Sequence, residues 1–351
     1  MTSTLTKNKE EECDWKQELR SSITSYEKLC HEFKLSFPKT SYPIFIPPHV
    51  IKRIHELGVN SAYAKTYLPQ EEETLSSGLI DPIGDLSNSP FNGVIHRYEN
   101  RVLFMPTTFC PVLCRHCFRK NLLNEQSDLL QGRTQELIQY LQKNPQVEEV
   151  ILTGGDPLIL TNEKILTLLK KIKSQTKIKF IRFHTKTPLV IPNRVNSGLI
   201  ELLIYAVKEF DMVHMALHIN HETELNEAVK KSIQKLTSIS GLRLLSQSVL
   251  LKNINDDSQT LKNLFLRILQ LGITPYYLHH PDKVKGGAGF YVELEKGRSI
   301  YLKLRSILPG WAIPQYIIDA PGGHGKLPAF NPESLAFSGK LLSRQGELID
   351  I

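Results

Sequence analysis

RVLFMPTTFCPVLCRHCFRK, residues 101–120, is the stretch whose reading decides the fold. Its first part, near 102–106, is a short apolar run of the kind that forms a buried strand. Directly after it, Cys110, Cys114 and Cys117 fall in C-x3-C-x2-C spacing. Thiolates are the usual ligands of iron–sulfur clusters. Three of them from one loop can ligate three irons of a cubane and leave the fourth iron open. A structural zinc site would normally be closed by four ligands. The only nearby fourth candidate is His116, wedged between two of the cysteines, which is poor geometry for closure. Buried cysteines or a zinc knuckle are the plain alternatives on spacing alone.

Moving outward from this stretch, short apolar runs alternate with helix-length amphipathic segments. After 102–106 the runs lie near 148–153, 179–184, 211–217, 243–250 and 273–279. The helices lie near 133–142, 162–173, 196–208, 223–237 and 258–271. Such alternation predicts a parallel sheet with right-handed crossovers. Six units predict an α/β fold, a partial (β/α)6 TIM-like barrel, with function at the C-terminal ends of its strands. The chemistry-bearing motifs fall there. VILTGGDPL runs from a strand into Gly154, Gly155 and Asp156, where glycines allow positive φ and close approach of a ligand, or simply a strand-to-helix turn. LHINH ends a strand with His218 and His221, and Gln247 ends another; these are possible pocket residues. DAPGGHGKLP, after the strand-like run WAIPQYII, surrounds Lys326 with glycines. A lysine amine there can form a Schiff base with pyridoxal phosphate (PLP), or be a solvated surface group.

Upstream, Trp15, Leu19, Ile23, Tyr26, Cys30 and Phe33 recur at helical spacing and predict one amphipathic helix over 14–34, with Cys30 packing on its apolar face. Cys13 carries no assigned role. Residues 35–95 are rich in proline and turn signals, with a short helix near 48–57, and DPIGDLSNSPFNG reads as a loop. The division that follows is an N-terminal helical and loop extension over 1–95, a core barrel over 96–290, and a C-terminal segment over 291–351 that carries Lys326. The last part of that segment is a short extension covering the barrel or meeting a neighbouring subunit.

Composition narrows the class. The 351 residues are 41% hydrophobic and 23% charged, ordinary for a soluble globular protein. No run of 18 apolar residues is present, so no membrane span is expected, and the polar start MTSTLTKNKEEECDW is not a secretory signal. The net charge of +7 comes from scattered residues rather than one basic run, so nucleic acid is not an expected partner. Five cysteines, three within eight residues, suit a reducing, cytoplasmic setting and a metal site rather than a disulfide framework.

The cysteine spacing after a first strand is the signature of the radical S-adenosylmethionine (SAM) superfamily. Nearly the whole chain resembles lysine 2,3-aminomutases and their shorter relatives that supply β-lysine for modifying elongation factor P. The matching stretches are DWKQELRSSITSYEKL, SPFNGVIHRYENRVLF, CRHCFRK, TGGDPL, TPLVIPNRV, HINH, QSVLLKNIND, PYYLHHPDKVKG and DAPGGHGK, in the family's order. The resemblance implies a radical SAM barrel, a [4Fe-4S] cluster on Cys110, Cys114 and Cys117, SAM on its open iron, and PLP on Lys326. It implies that Gly154, Gly155 and Asp156 lie at the cofactor's methionine. Gln247 is named with them as a cofactor contact, and Phe118 lies beside the adenine or makes a plain apolar contact. Arg97 and Arg101 would hold the PLP phosphate, Arg119 the substrate carboxylate, and Asp282 and Asp319 the distal ammonium of lysine. The implied reaction is amino migration from the α- to the β-carbon of L-lysine. Its implied partners are an electron donor such as flavodoxin or ferredoxin and, as the family tends to form homo-oligomers, further copies of the chain. The zinc site that longer aminomutases build from C-terminal cysteines is not expected, because no cysteine follows Cys117. CFRK and YYLHHPDKVKG look more like the elongation-factor relatives, and DAPGGHGK more like the free-lysine mutases. Competing readings are a mutase for glutamate or arginine, a radical enzyme without PLP, and a basic zinc- or cluster-containing nucleic-acid-binding protein.

Overall fold

The computed structural model describes residues 14–122, 130–330, 340–342 and 348–350. Cys13 and most of the tail after Phe330 lie outside the described residues. Nine strands make one sheet in sequential order: β1 (Val94–Tyr98), β2 (Arg101–Thr107), β3 (Glu149–Gly154), β4 (Phe180–Thr185), β5 (Met212–His218), β6 (Leu242–Val249), β7 (Thr274–His279), β8 (Gln315–Ala320) and β9 (Gly325–Pro328). Strands β2 through β8 run parallel, while β1 and β9 pair antiparallel with the strand beside them. The six predicted runs are β2 to β7. The WAIPQYII run becomes β8, so the sheet extends beyond the six expected units and carries on into the segment after residue 290.

Helices Leu130–Lys143, Asn162–Gln175, Ser197–Glu209, Glu227–Thr237, Ser258–Gln270 and Leu294–Ile307 form the crossovers. Their apolar stripes bury Leu137, Leu168, Leu203, Ile233 and Leu264 against outward residues of the strands, among them Val150, Leu152, Ile181, Phe183 and Val213. Caps fix where the helices start: Thr161, Asn196, Asn226 and Asp257 each accept a backbone N–H of the first turn. The aliphatic core thus lies outside the sheet and leaves its inner face for polar side chains.

The two edge strands do not share a ladder. They are joined by side chains: Tyr98 Oη, on β1, accepts from the backbone N–H of Lys326, on β9, at 2.7 Å. Gly325 makes this possible. Its φ is +85°, and a Cβ there would stand 2.6 Å from Tyr98 Oη. The barrel is therefore nearly closed, and Lys326 sits on the seam.

The single helix expected over 14–34 is two. Residues 14–20 are helical, the chain breaks at 21–25, and a second helix spans Tyr26–Phe33. The break has local causes. The Ser21 and Ser22 hydroxyls donate back to the carbonyls of Gln17 and Leu19, Ile23 exchanges two backbone bonds with Ile46, and Ser25 caps the second helix. Cys30 is half-buried. The short helix near 48–57 is present as Pro48–Leu57.

Candidate active site

The strand β2 delivers the cysteine loop to the C-terminal end of the barrel. Cys110, Cys114 and Cys117 line one cavity there, which encloses 1090 Å³ of empty space including its mouth. A buried clamp shapes the loop. Glu73 accepts from Arg115 at 2.6 Å and from Lys120 at 2.8 Å, and Lys120 also donates to the carbonyls of Arg115 and Gly286. Arg115 lies between Cys114 and Cys117 and Lys120 follows Cys117, so the clamp holds the second half of the loop on either side of Cys117. Burial pushes all three thiols up, Cys114 to about 12, and for Cys110 the charges of Cys117, Asp156 and Cys114 add to it. Three mutually repelling thiols become thiolates here only with a cationic partner. Among the described residues no three His, Cys, Asp or Glu side chains are close enough to hold a single metal ion. The fit is therefore to a group that spreads its ligands, as a cubane does with one thiolate per iron.

The glycine loop after β3 packs on the start of the cysteine loop. Gly155 N–H donates to Thr107 and Asp156 N–H to Phe109, and a Cβ on Gly155 would stand 2.0 Å from the Phe109 carbonyl oxygen. What approaches these glycines is the cysteine loop's own backbone, while Gly154 and Gly155 still line the cavity. Asp156 is an interior tie: its buried carboxylate accepts from Thr185 Oγ1 and from the N–H groups of Leu158, Lys186 and Thr187.

The inner face of the barrel is polar. His184 on β4, His218 on β5, Gln247 on β6 and His279 on β7 all line the cavity. Burial holds the histidines neutral, His218 at about 3 and His184 well below the usual range. Gln247 Nε2 stands 2.8 Å from His279 Nε2, and His279 Nδ1 lies 3.3 Å from Asp319. His116 Nδ1, His184 Nε2 and Gln247 Oε1 are buried without a hydrogen-bond partner among the described residues. Buried polar atoms are costly unless paired, so this wall is built to meet a polar ligand.

A chain of ion pairs runs from the cysteine loop to Lys326. Arg119 donates twice to Asp85 Oδ2, at 3.0 and 2.9 Å. Asp85 Oδ1 accepts from Arg97 at 2.9 Å, and Arg97 Nη1 is 3.7 Å from Asp319. Asp319 takes Lys326 Nζ on both oxygens, at 2.9 and 3.0 Å. Burial raises Asp319, but His279 and Lys326 more than reverse this and hold it well below the usual carboxylate range. Asp282 lines the same cavity. Burial, then repulsion from Asp319 and Asp85, pushes it up to about 7 despite Lys326 and Arg119.

The sequence-predicted residues thus converge in large part. The three cysteines, Gly154, Gly155, Asp156, Arg119, Gln247 and Asp282 line the cavity. Lys326 and Asp319 stand one layer behind His279. Arg97 reaches Asp319. Arg101 is placed differently: it starts β2, stacks 3.8 Å over the Tyr98 ring and donates to Asn100, and it is not on the cavity wall. His221 also turns away, because its ring caps the turn at Glu222–Glu224 by accepting from Thr223 N–H. Phe118 lines the cavity under the Arg119 guanidinium, 4.7 Å from its ring centre. Sequence reasoning missed Asp85, Glu73, His184 and His279. A signal existed for His184: Arg182, His184 and Lys186 place a polar side chain at every second position of an otherwise apolar run.

Residues 104–261 match the family model described as Radical SAM superfamily. Among solved structures, Streptococcus suis SuiB bound to S-adenosylmethionine is similar at a TM-score of 0.47 and 18% identity, covering 62% of this chain and 49% of that one. An L-lysine 2,3-aminomutase of Methanococcus maripaludis is 32% identical over 329 residues, 90% of this chain and 75% of the relative. One from Escherichia coli K12 is 30% identical over 339 residues, 93% of this chain and 98% of the relative. The chain belongs to the lysine 2,3-aminomutase family. As a lysine 2,3-aminomutase family member it is an isomerase of the radical SAM type, and that membership implies a [4Fe-4S] cluster with SAM. The cysteine loop, the glycine loop and the unpartnered atoms of the wall fit both groups. No helix among the described residues is long and apolar enough to cross a membrane.

Proposed function

We propose that this family member is a PLP-dependent L-lysine 2,3-aminomutase whose PLP is held on Lys326. The observation that carries the reading is the seating of Lys326 against Asp319, with Asp282 and Arg119 within electrostatic reach, beside the cavity that holds the three cysteines. When bound, the cluster and SAM supply the radical that takes a hydrogen from the substrate, and PLP supplies a conjugated ring that spreads the unpaired electron. The chain's own residues orient and shield. Arg119, held edge-on by Asp85, offers its remaining N–H groups to the substrate carboxylate. Asp282 and Asp319 take the distal ammonium, and the same two carboxylates repel a glutamate side chain. Arg97, which reaches Asp319 beside Lys326, is the proposed phosphate contact, and Gln247 Oε1 is an acceptor offered to the cofactor. Neutral His184 and His218 line the wall without adding charge. The aliphatic layer outside the sheet keeps water from the radical.

The electron donor is proposed to be a flavodoxin or ferredoxin, the setting cytoplasmic and the assembly a homo-oligomer. The β-lysine is proposed to serve elongation factor P, a reading supported by the CFRK and YYLHHPDKVKG stretches. The test is anaerobic incubation of reconstituted protein with SAM, PLP and a reductant, offering lysine, arginine and glutamate separately. β-Lysine from lysine is expected. A β-amino product from glutamate or arginine but none from lysine would overturn the substrate.

A further inference from the structure

Asp319 is largely occupied: three positions of its carboxylate meet hydrogen-bond donors and a guanidinium faces it at ion-pair distance. A carboxylate offers about four lone-pair positions. Here Lys326 Nζ meets both oxygens, at 2.9 and 3.0 Å, His279 Nδ1 faces Oδ2 at 3.3 Å, and Arg97 Nη1 faces Oδ1 at 3.7 Å. The Asp319 side chain is 5% exposed, so water does not enlarge this set. Asp282, by contrast, faces the cavity, and its carboxyl makes no hydrogen bond or ion pair among the described residues. A substrate ammonium could reach Asp282 directly. It can reach Asp319 only if Lys326 leaves.

The group that occupies Asp319 is itself a primary ammonium on a four-carbon stem, the same group as the distal end of lysine. We infer that Lys326 is a placeholder for the substrate's distal ammonium, and that attaching PLP to Lys326 opens the lysine subsite at Asp319. The inference rests on the reading of Lys326 as the PLP lysine and of Asp282 and Asp319 as the ammonium site. The covalent step balances. A C=N bond forms between Nζ and the aldehyde carbon of PLP, the aldehyde oxygen leaves as water with two of the ammonium's protons, and the nitrogen keeps one. That nitrogen no longer has three N–H donors to give Asp319, and the ring draws it away. Protein without PLP would then refuse lysine-like ligands, so cofactor loading precedes substrate binding.

The test uses 6-aminohexanoate, which has lysine's carboxylate and distal ammonium but no α-amino group to exchange with Lys326. Its binding is measured by equilibrium dialysis, without SAM, to four samples of the full chain: PLP-free wild type, PLP-loaded wild type, PLP-free Lys326→Met and PLP-free Lys326→Arg. Loaded wild type and Lys326→Met should bind it about tenfold or more tighter than PLP-free wild type, roughly 1.4 kcal/mol. Lys326→Arg, which keeps a cation on Asp319, should stay weak. Equal affinity in PLP-free wild type and Lys326→Met overturns the inference, as does tight binding by Lys326→Arg. Should Lys326→Met fail to fold, the two wild-type samples decide, and equal affinity between them overturns it. The visible absorbance of lysine-bound PLP, present in wild type and lost in Lys326→Met, reports separately on the PLP reading.

Discussion

Replacing Asp85 by asparagine tests whether the ion-pair chain holds the site together. Among the described residues Asp85 is the one carboxylate that pairs with Arg119, and it also carries Arg97; the side chains of all three are 10% exposed or less. In Asp85→Asn the negative charge goes, and one amide oxygen remains to accept. Arg97 keeps the Ile83 carbonyl at 3.0 Å and Asp319 at 3.7 Å. Arg119 keeps only Thr153 Oγ1 at 3.5 Å, a long and weak contact. Removing one partner of a buried pair costs about 3–5 kcal/mol, and the retained oxygen places this variant at the low end, about 3 kcal/mol. Urea unfolding of the PLP-free protein reads this as a lowered midpoint at unchanged slope. Arg119 would also lose its fixed orientation, so KM for lysine should rise about tenfold or more. Asp81→Asn is the control: among the described residues the Asp81 carboxylate accepts backbone N–H groups of Asp85 and Leu86 alone, and its loss should cost about 1 kcal/mol. A variant Asp85→Asn within about 0.5 kcal/mol of wild type, with unchanged KM, would refute the reasoning.

Further outcomes follow from the same geometry. Asp282, at about 7, must be ionised to hold a cation, so KM for lysine should climb as pH falls through that value; a flat KM between pH 6 and 8, each about one unit from that pKa, would contradict it. Because its pKa is raised in the folded state, Asp282 binds its proton more tightly there. Stability is lost as pH rises from the ordinary carboxylate range to about 7, and Asp282→Asn should stabilise the ligand-free protein above pH 7 by on the order of a few kcal/mol; equal unfolding midpoints there would count against this. Gly155→Ala puts a Cβ 2.0 Å from the Phe109 carbonyl and should cost about 3 kcal/mol or more, with loss of bound iron on reconstitution, since the cysteine loop must shift; normal iron content would show that the loop tolerates it. Glu73→Gln should lower stability by about 3 kcal/mol, because Arg115 and Lys120 stay buried without a carboxylate, and thermal or urea unfolding would show it.

The barrel was legible because its signal is local. The strands from β2 to β8 follow largely apolar runs, four of the crossover helices have capped starts, and the cysteine, glycine and lysine motifs fall just after strand ends. The helix over 14–34 failed because side-chain periodicity continues through a break that only the Ser21, Ser22 and Ser25 bonds impose. The charged part of the site was half legible. Lys326, Arg119 and Asp282 stand in recognisable motifs, yet their partners are distant in sequence: Asp85 serves Arg119 across 34 residues, and Glu73 serves Lys120 across 47. Nothing in DPIGDL singles out Asp85 until the fold brings that loop against β1 and the cysteine loop. Arg101 shows the converse, since a motif position names a residue but not the direction its side chain takes.

The central claim is that three cysteines hold a cubane with one iron left for SAM. Electron paramagnetic resonance of the anaerobically reconstituted, chemically reduced protein tests it most directly. The expected spectrum is that of a reduced [4Fe-4S] cluster, changed in shape when SAM is added and abolished in Cys114→Ala. A protein that takes up no iron, or a cluster signal indifferent to SAM, would contradict it.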